Sequence, residues 1–285
     1  MLLFYTADLH IEGVMRAAST SFQGDWKHAL SRLETTILSK KEQSGEETGW
    51  LLRETHHAYH TEMNDILLTA VGIGLKGWDG RTQTLITLEG HGRDGFSGLE
   101  WEDERYKHLD VSRTVGWFTT LYPFVLELRE DKIGEQIKGM KERLRQIPNH
   151  GFDYGILRYV VGKKLKHARP WLSFNYLGQL DEVAEGLFGF VDAPSGVAVG
   201  AQVERQHLLD MVGVVAGGRL ALSLMFNPAQ TSHEQAETLL AQIREALLEI
   251  VVHCQGRTDS EMTVSDFTAD VSEDDLDSIM GLFGS

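Results

Sequence analysis

A mixed sheet flanked by helices, in the α/β or α+β class, is the fold this 285-residue sequence predicts, on three observations. Apolar runs of strand length alternate along the chain with stretches of helical period. Gly217-Gly218 separates two strand-like runs, the two-residue signature of a hairpin. Ser232, with Gln235 three residues later, opens a long apolar-periodic segment in the manner of a capping box.

Taken in order, residues 2–6 read as a strand and Asp8-Leu-His-Ile-Glu-Gly13 as a polar turn. Residues 22–40 carry a weak helical pattern (Trp26, Leu30, Leu33, Ile37), and the charged run Lys40–Thr48 reads as a connector. From Thr61, read as an N-cap, Ile66, Leu67, Ala70, Val71 and Leu75 recur at helical spacing. Leu85–Leu88 is a short strand, and Gly95–His108 is polar and irregular. Val115–Leu128 reads as one or two strands broken near Pro123. Ile133, Ile137, Met140 and Leu144 line a helix that Pro148 ends. A loop with Gly151 and Gly155 leads into the apolar run Ile156–Val161. Trp171–Leu177 alternates as a strand, with Leu172, Phe174 and Tyr176 on one face and Ser173, Asn175 and Leu177 on the other. His207–Ala216 and Arg219–Phe226 form the hairpin; Leu239, Leu240, Ile243, Leu247, Ile250 and Val251 line the long helix; a short acidic helix spans Ser272–Phe283. Three parts follow: 1–51, a central unit at 52–258, and an acidic tail at 259–285.

The formal charge of −15 argues against a nucleic-acid surface or an anionic membrane as partner, since both need positive faces. A single cysteine, Cys254, allows no internal disulfide and fits a reducing cytoplasm. No apolar run approaches the roughly 18–20 residues that cross a bilayer. The opening Met1-Leu-Leu-Phe-Tyr lacks the basic lead and cleavage site of a signal peptide, and reads as a strand entered partway.

The stretch richest in chemistry is Leu85-Ile-Thr-Leu-Glu-Gly-His-Gly-Arg93. In a strand, Leu85, Thr87, Glu89 and His91 share a face, and Gly90 and Gly92 let a ligand or another backbone come close. A carboxylate and an imidazole at a strand end suit proton transfer; the ordinary reading is a solvated pair at a strand exit. Gly72-Ile-Gly-Leu-Lys-Gly77 matches a dinucleotide loop in letters, but it ends a helix rather than opening one after a strand. His56, His57 and His60 lack the converging partners of a zinc site and read as solvated, so no metal is expected. No G-x-S-x-G elbow occurs, and Cys254 reads as a core residue. Lys163-Lys-Leu-Lys-His-Ala-Arg169 is the one basic run, either a solvated face or a site for an acidic protein or phosphate.

Five segments come in a telling order: Asn64-Asp-Ile-Leu-Leu-Thr-Ala70, Leu88-Glu-Gly-His-Gly-Arg93, Arg113-Thr-Val-Gly-Trp-Phe-Thr-Thr-Leu-Tyr-Pro123, Pro148-Asn-His-Gly-Phe-Asp-Tyr-Gly155 and Phe174-Asn-Tyr-Leu-Gly-Gln-Leu-Asp181. Together they resemble the epimerization domains of nonribosomal peptide synthetases, in the condensation-domain superfamily, from about residue 56 to the end. The resemblance implies two chloramphenicol-acetyltransferase-like lobes facing across a tunnel. A peptidyl carrier protein brings an aminoacyl or peptidyl thioester there on 4'-phosphopantetheine, and the Cα is inverted from L to D. It implies Glu89 as the proton-transfer carboxylate, with Asn175 and Tyr176 beside it. Only one of those two faces the site in a regular strand, and Asn175 is the expected amide donor. Gly90, His91 and Arg93 are the expected substrate contacts, and Lys163, Lys164, Lys166 and Arg169 the expected carrier contacts. The chain itself holds no cofactor on this reading, and its partners are the carrier and neighbouring synthetase domains.

The sequence departs from the pattern at His-His-x-x-x-Asp-Gly: aligning Glu12-Gly13 with Asp-Gly puts Asp8 where the second histidine belongs. Two carboxylates near one site repel, and one holds a proton. Most of the first lobe is absent on this alignment. The second lobe is then complete, the first a remnant, and the exposed lobe face invites self-association. An epimerization-like chain impaired on its own is the leading reading. The others are a non-catalytic module that binds a carrier or synthetase domain, and a condensation or acyltransferase relative.

Overall fold

A computed structural model describes residues 37–93, 110–129, 131–163, 165, 169–180 and 203–267. Six strands form one mixed sheet: β1 (Ile37–Glu42), β2 (Gln83–Gly90), β3 (Thr120–Glu127), β4 (Leu172–Gln179), β5 (Leu209–Ala216) and β6 (Arg219–Phe226). Their spatial order is β1-β6-β5-β4-β2-β3. The pairs β5/β4 and β4/β2 are parallel, and the remaining three junctions are antiparallel.

One face of the sheet is apolar and carries the helices α1 (Gly45–Arg53), α2 (Met63–Asp79), α3 (Ile133–Arg145) and α4 (His233–Gln255). Ile86, Leu88, Phe124, Leu126, Leu172, Phe174, Met211, Leu222, Leu224 and Phe226 point into this core and meet Ile66, Leu67, Met140, Leu240, Ile243 and Leu247. Cys254 lies in the same core, where burial pushes its thiol up to about 11, so it packs rather than reacts.

Gly217 and Gly218 take φ of 59° and 69°, the positive values that a type I′ hairpin requires. Ser232 and Gln235 exchange cap hydrogen bonds of 3.1 and 2.8 Å at the start of α4.

Four expectations change. The end of the weak helical stretch, Ile37–Lys40, is strand instead, because pairing with β6 satisfies a sheet edge that weak helical periodicity leaves open. The charged connector Lys40–Thr48 completes β1 and begins α1. Ser44 caps α1 through a box with Glu47, at 3.1 and 2.7 Å, a signature present in the letters. Pro123 does not break its strand. It lies in β3, an edge strand of the described sheet, paired with Thr87 of β2, and there a missing N–H can face outward without loss. The α2 cap also moves by one residue, from Thr61 to Glu62, whose N–H donates to Asp65 at 2.7 Å. Strand 2–6, the turn at 8–13 and the helix at 272–283 lie outside the described residues.

The glycines of Gly72-x-Gly-x-x-Gly serve packing. A Cβ on Gly74 would stand 2.5 Å from Ile243 Cγ1 and 3.1 Å from its backbone nitrogen, so α2 and α4 touch nearly backbone to backbone. Gly74→Ala is therefore expected to destabilise the fold by about 1–2 kcal/mol in urea unfolding, the overpacking outweighing the helix propensity gained. A variant more stable than the parent would mean the two helices are not in contact there.

Candidate functional site

Glu89 lies near the C-terminal end of β2, directly across from Asn175 on β4 and Leu121 on β3. Because side chains alternate, Thr87, Glu89, Ser173, Asn175, Asp210 and Val212 share the sheet face that points away from the helical core. Half-burial raises the Glu89 carboxyl above its ordinary range, and a hydrogen bond from Asn175 pulls it part of the way back. A carboxylate so placed is a stronger base than a free glutamate, which suits proton transfer. Leu121 and Leu177, about half exposed at 50% and 51%, flank the pair with apolar surface.

Tyr176 does not join them. It faces the helical side, packs against the core, and burial raises its phenol. The regular strand that puts Asn175 beside Glu89 turns Tyr176 the other way.

The glycines after Glu89 accommodate the chain itself. Gly92 has φ of 67°, and a Cβ there would stand 1.8 Å from the Phe118 carbonyl oxygen; a Cβ on Gly90 would meet Thr120 Oγ1 at 3.0 Å. They let the segment leading into β3 close over the end of β2. Arg93 anchors that segment: its Nη1 donates to the carbonyls of Val111 (2.5 Å) and Thr114 (2.9 Å), and its guanidinium sits 4.5 Å from the Phe118 ring centroid. Arg93 thus braces the segment that enters β3. His91 is exposed, with Nδ1 accepting from the Arg93 N–H at 3.2 Å.

Lys163 and Arg169 are exposed, whereas Lys164, Lys166 and Asp8 lie outside the described residues. His57 and His60 tie the turn before α2 to the carbonyl of Arg257 (3.3 Å) and the hydroxyl of Ser260 (2.7 Å). Among the described residues no group of three or more acidic, histidine or cysteine side chains converges to hold a metal. No described helix is long and apolar enough to cross a membrane.

A polar cluster lies one row from Glu89. Asp210 accepts from Ser173 Oγ (2.6 Å), Arg205 Nη2 (2.5 Å) and His207 Nδ1 (3.0 Å), and Thr87 Oγ1 meets His207 Nε2 at 2.9 Å. Burial pushes the Asp210 carboxyl up, but the His207 and Ser173 hydrogen bonds and the Arg205 charge outweigh it and hold the group below its ordinary range. Its available signal was Arg205-x-His207-x-x-Asp210, three polar residues entering an otherwise apolar strand.

Comparison with known families matches residues 26–271 to the family described as the condensation domain. Among curated proteins, surfactin synthase subunit 1 of Bacillus subtilis (strain 168) is 38% identical over 276 residues, covering 94% of this chain and 7% of that protein. Bacitracin synthase 3 of Bacillus licheniformis is 39% identical over 273 residues, 94% of this chain and 4% of its own length. The chain thus spans less than a tenth of these relatives. Among solved structures, the epimerization domain from the third module of tyrocidine synthetase B superposes with a TM-score of 0.72 at 34% identity. The match covers 90% of this chain and 59% of that one. A condensation domain of the enacyloxin polyketide synthase, at 12% identity and a TM-score of 0.56, shares the fold alone.

Proposed function

The chain belongs to the condensation-domain family, and from that premise we propose that it acts on aminoacyl or peptidyl thioesters held on the phosphopantetheine of a peptidyl carrier protein, inverting the Cα from L to D. One observation carries the reading: a half-buried Glu89, paired with Asn175 across a parallel strand junction, on the sheet face opposite the described helices. The 34% identity to a tyrocidine synthetase epimerization domain supports the same chemistry over amide-bond formation.

The α-proton beside a thioester is weakly acidic, so inversion needs a base, an acid on the opposite side of the Cα, and a donor for the enolate oxygen. Glu89 supplies proton transfer on one side, and Asn175 aims its carboxylate. Leu121 and Leu177 give the acyl chain an apolar bed. Asp8, standing where the motif has its histidine, is the remaining candidate for the other side, and with a carboxylate in that place turnover by this chain alone is expected to be weak.

Incubation with an L-aminoacyl carrier protein in D2O, followed by release and chiral mass analysis, tests the proposal. Deuterium at Cα with a small D-isomer fraction is expected. Robust D-isomer formation would overturn the impairment, and no exchange with any carrier-bound amino acid would overturn the activity. A second reading, docking of a carrier without turnover, draws on the exposed Lys163 and Arg169. It predicts carrier binding that weakens with salt and with charge reversal at both positions.

A further inference from the structure

The row of side chains next to Glu89 and Asn175 forms one connected unit. His207 lies in the segment entering β5 and bridges two strands: Nδ1 donates to Asp210 on β5 and Nε2 accepts from the Thr87 hydroxyl on β2, at 3.0 and 2.9 Å. This tautomer follows from Asp210 being an acceptor already balanced by Arg205. Ser173 on β4 joins through its hydroxyl at 2.6 Å, and Arg205 reaches the Met225 carbonyl on β6 at 2.9 Å. Four adjacent strands are thereby tied on the face that carries Glu89.

We propose that His207 is a positioning residue for Glu89, locking β2 to β4 and β5 so that the carboxylate meets the Asn175 amide. Same-face neighbours along a strand stand roughly 7 Å apart, so the imidazole acts on Glu89 through the strands rather than by direct contact. The tie is needed there for two reasons. The junctions on both sides of Asn175 are parallel, the slightly weaker pairing. The β4/β5 register also breaks between Tyr176 and Gln179, just after Asn175, so regular pairing fixes the amide from the Ser173 side. An ion pair between Arg205 and Asp210 would serve mere stability. Among the contacts between described residues, the imidazole extends the network to the strand that bears Glu89.

The proposal rests on Glu89 being the working carboxylate, but its test needs no turnover. The Glu89 carboxyl is followed by NMR titration in protein labelled with 13C-glutamate, its signal assigned by its loss in Glu89→Gln. Asn175→Ala is expected to raise the Glu89 midpoint. His207→Ala and the near-isosteric Thr87→Val are expected to raise it in the same direction, and His207→Gln, which can still donate and accept, to restore it. An unmoved midpoint in Thr87→Val overturns the proposal, and this mild variant decides the matter if His207→Ala fails to fold. An unmoved midpoint in Asn175→Ala overturns it too, since there would then be no contact to position. Absent proton exchange with the predicted NMR shifts would sink the epimerase reading and leave the positioning role standing. Where exchange is measurable, Thr87→Val is expected to lower kcat about a hundredfold with KM unchanged, the usual cost of a misplaced group.

Discussion

If the chain inverts a carrier-bound Cα as proposed, Glu89→Gln is expected to lower exchange of the substrate α-proton by about a thousandfold, within the range of a lost general acid–base group. Glutamine keeps the shape and the contact with Asn175 but cannot take up a proton, so carrier-protein affinity and thermal stability stay near those of the parent. The effect therefore falls on kcat and leaves KM in place. The pH profile gives an independent reading. Glu89 must be ionised to accept the proton, and burial raises its pKa, so the rate rises with pH through a midpoint above that of an ordinary glutamate. Removing the Asn175 amide takes away the interaction that favours the ionised form, and the acid limb moves to still higher pH. Exchange in Glu89→Gln equal to that of the parent would place the chemistry on another residue.

Asp266→Ala is expected to cost about 3 kcal/mol, because it strands a buried cation. Lys141 on α3 is 1% exposed and donates to both Asp266 carboxylate oxygens at 2.6 Å and to the Tyr59 carbonyl at 2.8 Å. Truncating the acid leaves the ammonium buried with a neutral partner. Burial works against the Asp266 charge, but the Lys141 hydrogen bond and a backbone N–H from Thr263 prevail and hold its pKa below the ordinary range. A carboxyl whose folded pKa is depressed contributes stability above its unfolded pKa and loses it as pH falls through the folded value. The gap between parent and Asp266→Ala in urea unfolding should thus be full at neutral pH and shrink on acidification. Replacing the pair together, Lys141→Met with Asp266→Ala, should recover most of the loss. A single variant as stable as the parent would mean that Lys141 finds water or another acceptor.

Much of this arrangement was legible in the letters, and for identifiable reasons. The hairpin at Gly217-Gly218 and the cap at Ser232 depend on a few adjacent residues whose backbone needs are local. Alternation along Leu172–Leu177 fixed which residues would share Asn175's face, and so set Tyr176 opposite. The readings that changed depended on partners distant in sequence. Ile37–Lys40 became strand because β6 offered an open edge, and Pro123 was tolerated because its strand is an outer one. The reach of Arg93 to the carbonyls of Val111 and Thr114 likewise joins residues whose nearness no local pattern announces.

By itself the sequence determined the class of fold and the family to which its ordered motifs belong, because period, turn chemistry and motif order are properties of a chain read along its length. Only the tertiary structure decided that Glu89 lies against Asn175, that Gly92 yields to the Phe118 carbonyl rather than leaving space, and that His207 links β2 to Asp210. Except for His207–Asp210, those contacts join positions roughly 25 to 120 residues apart, and hydrogen bonds between strands arise from register, which no single segment contains.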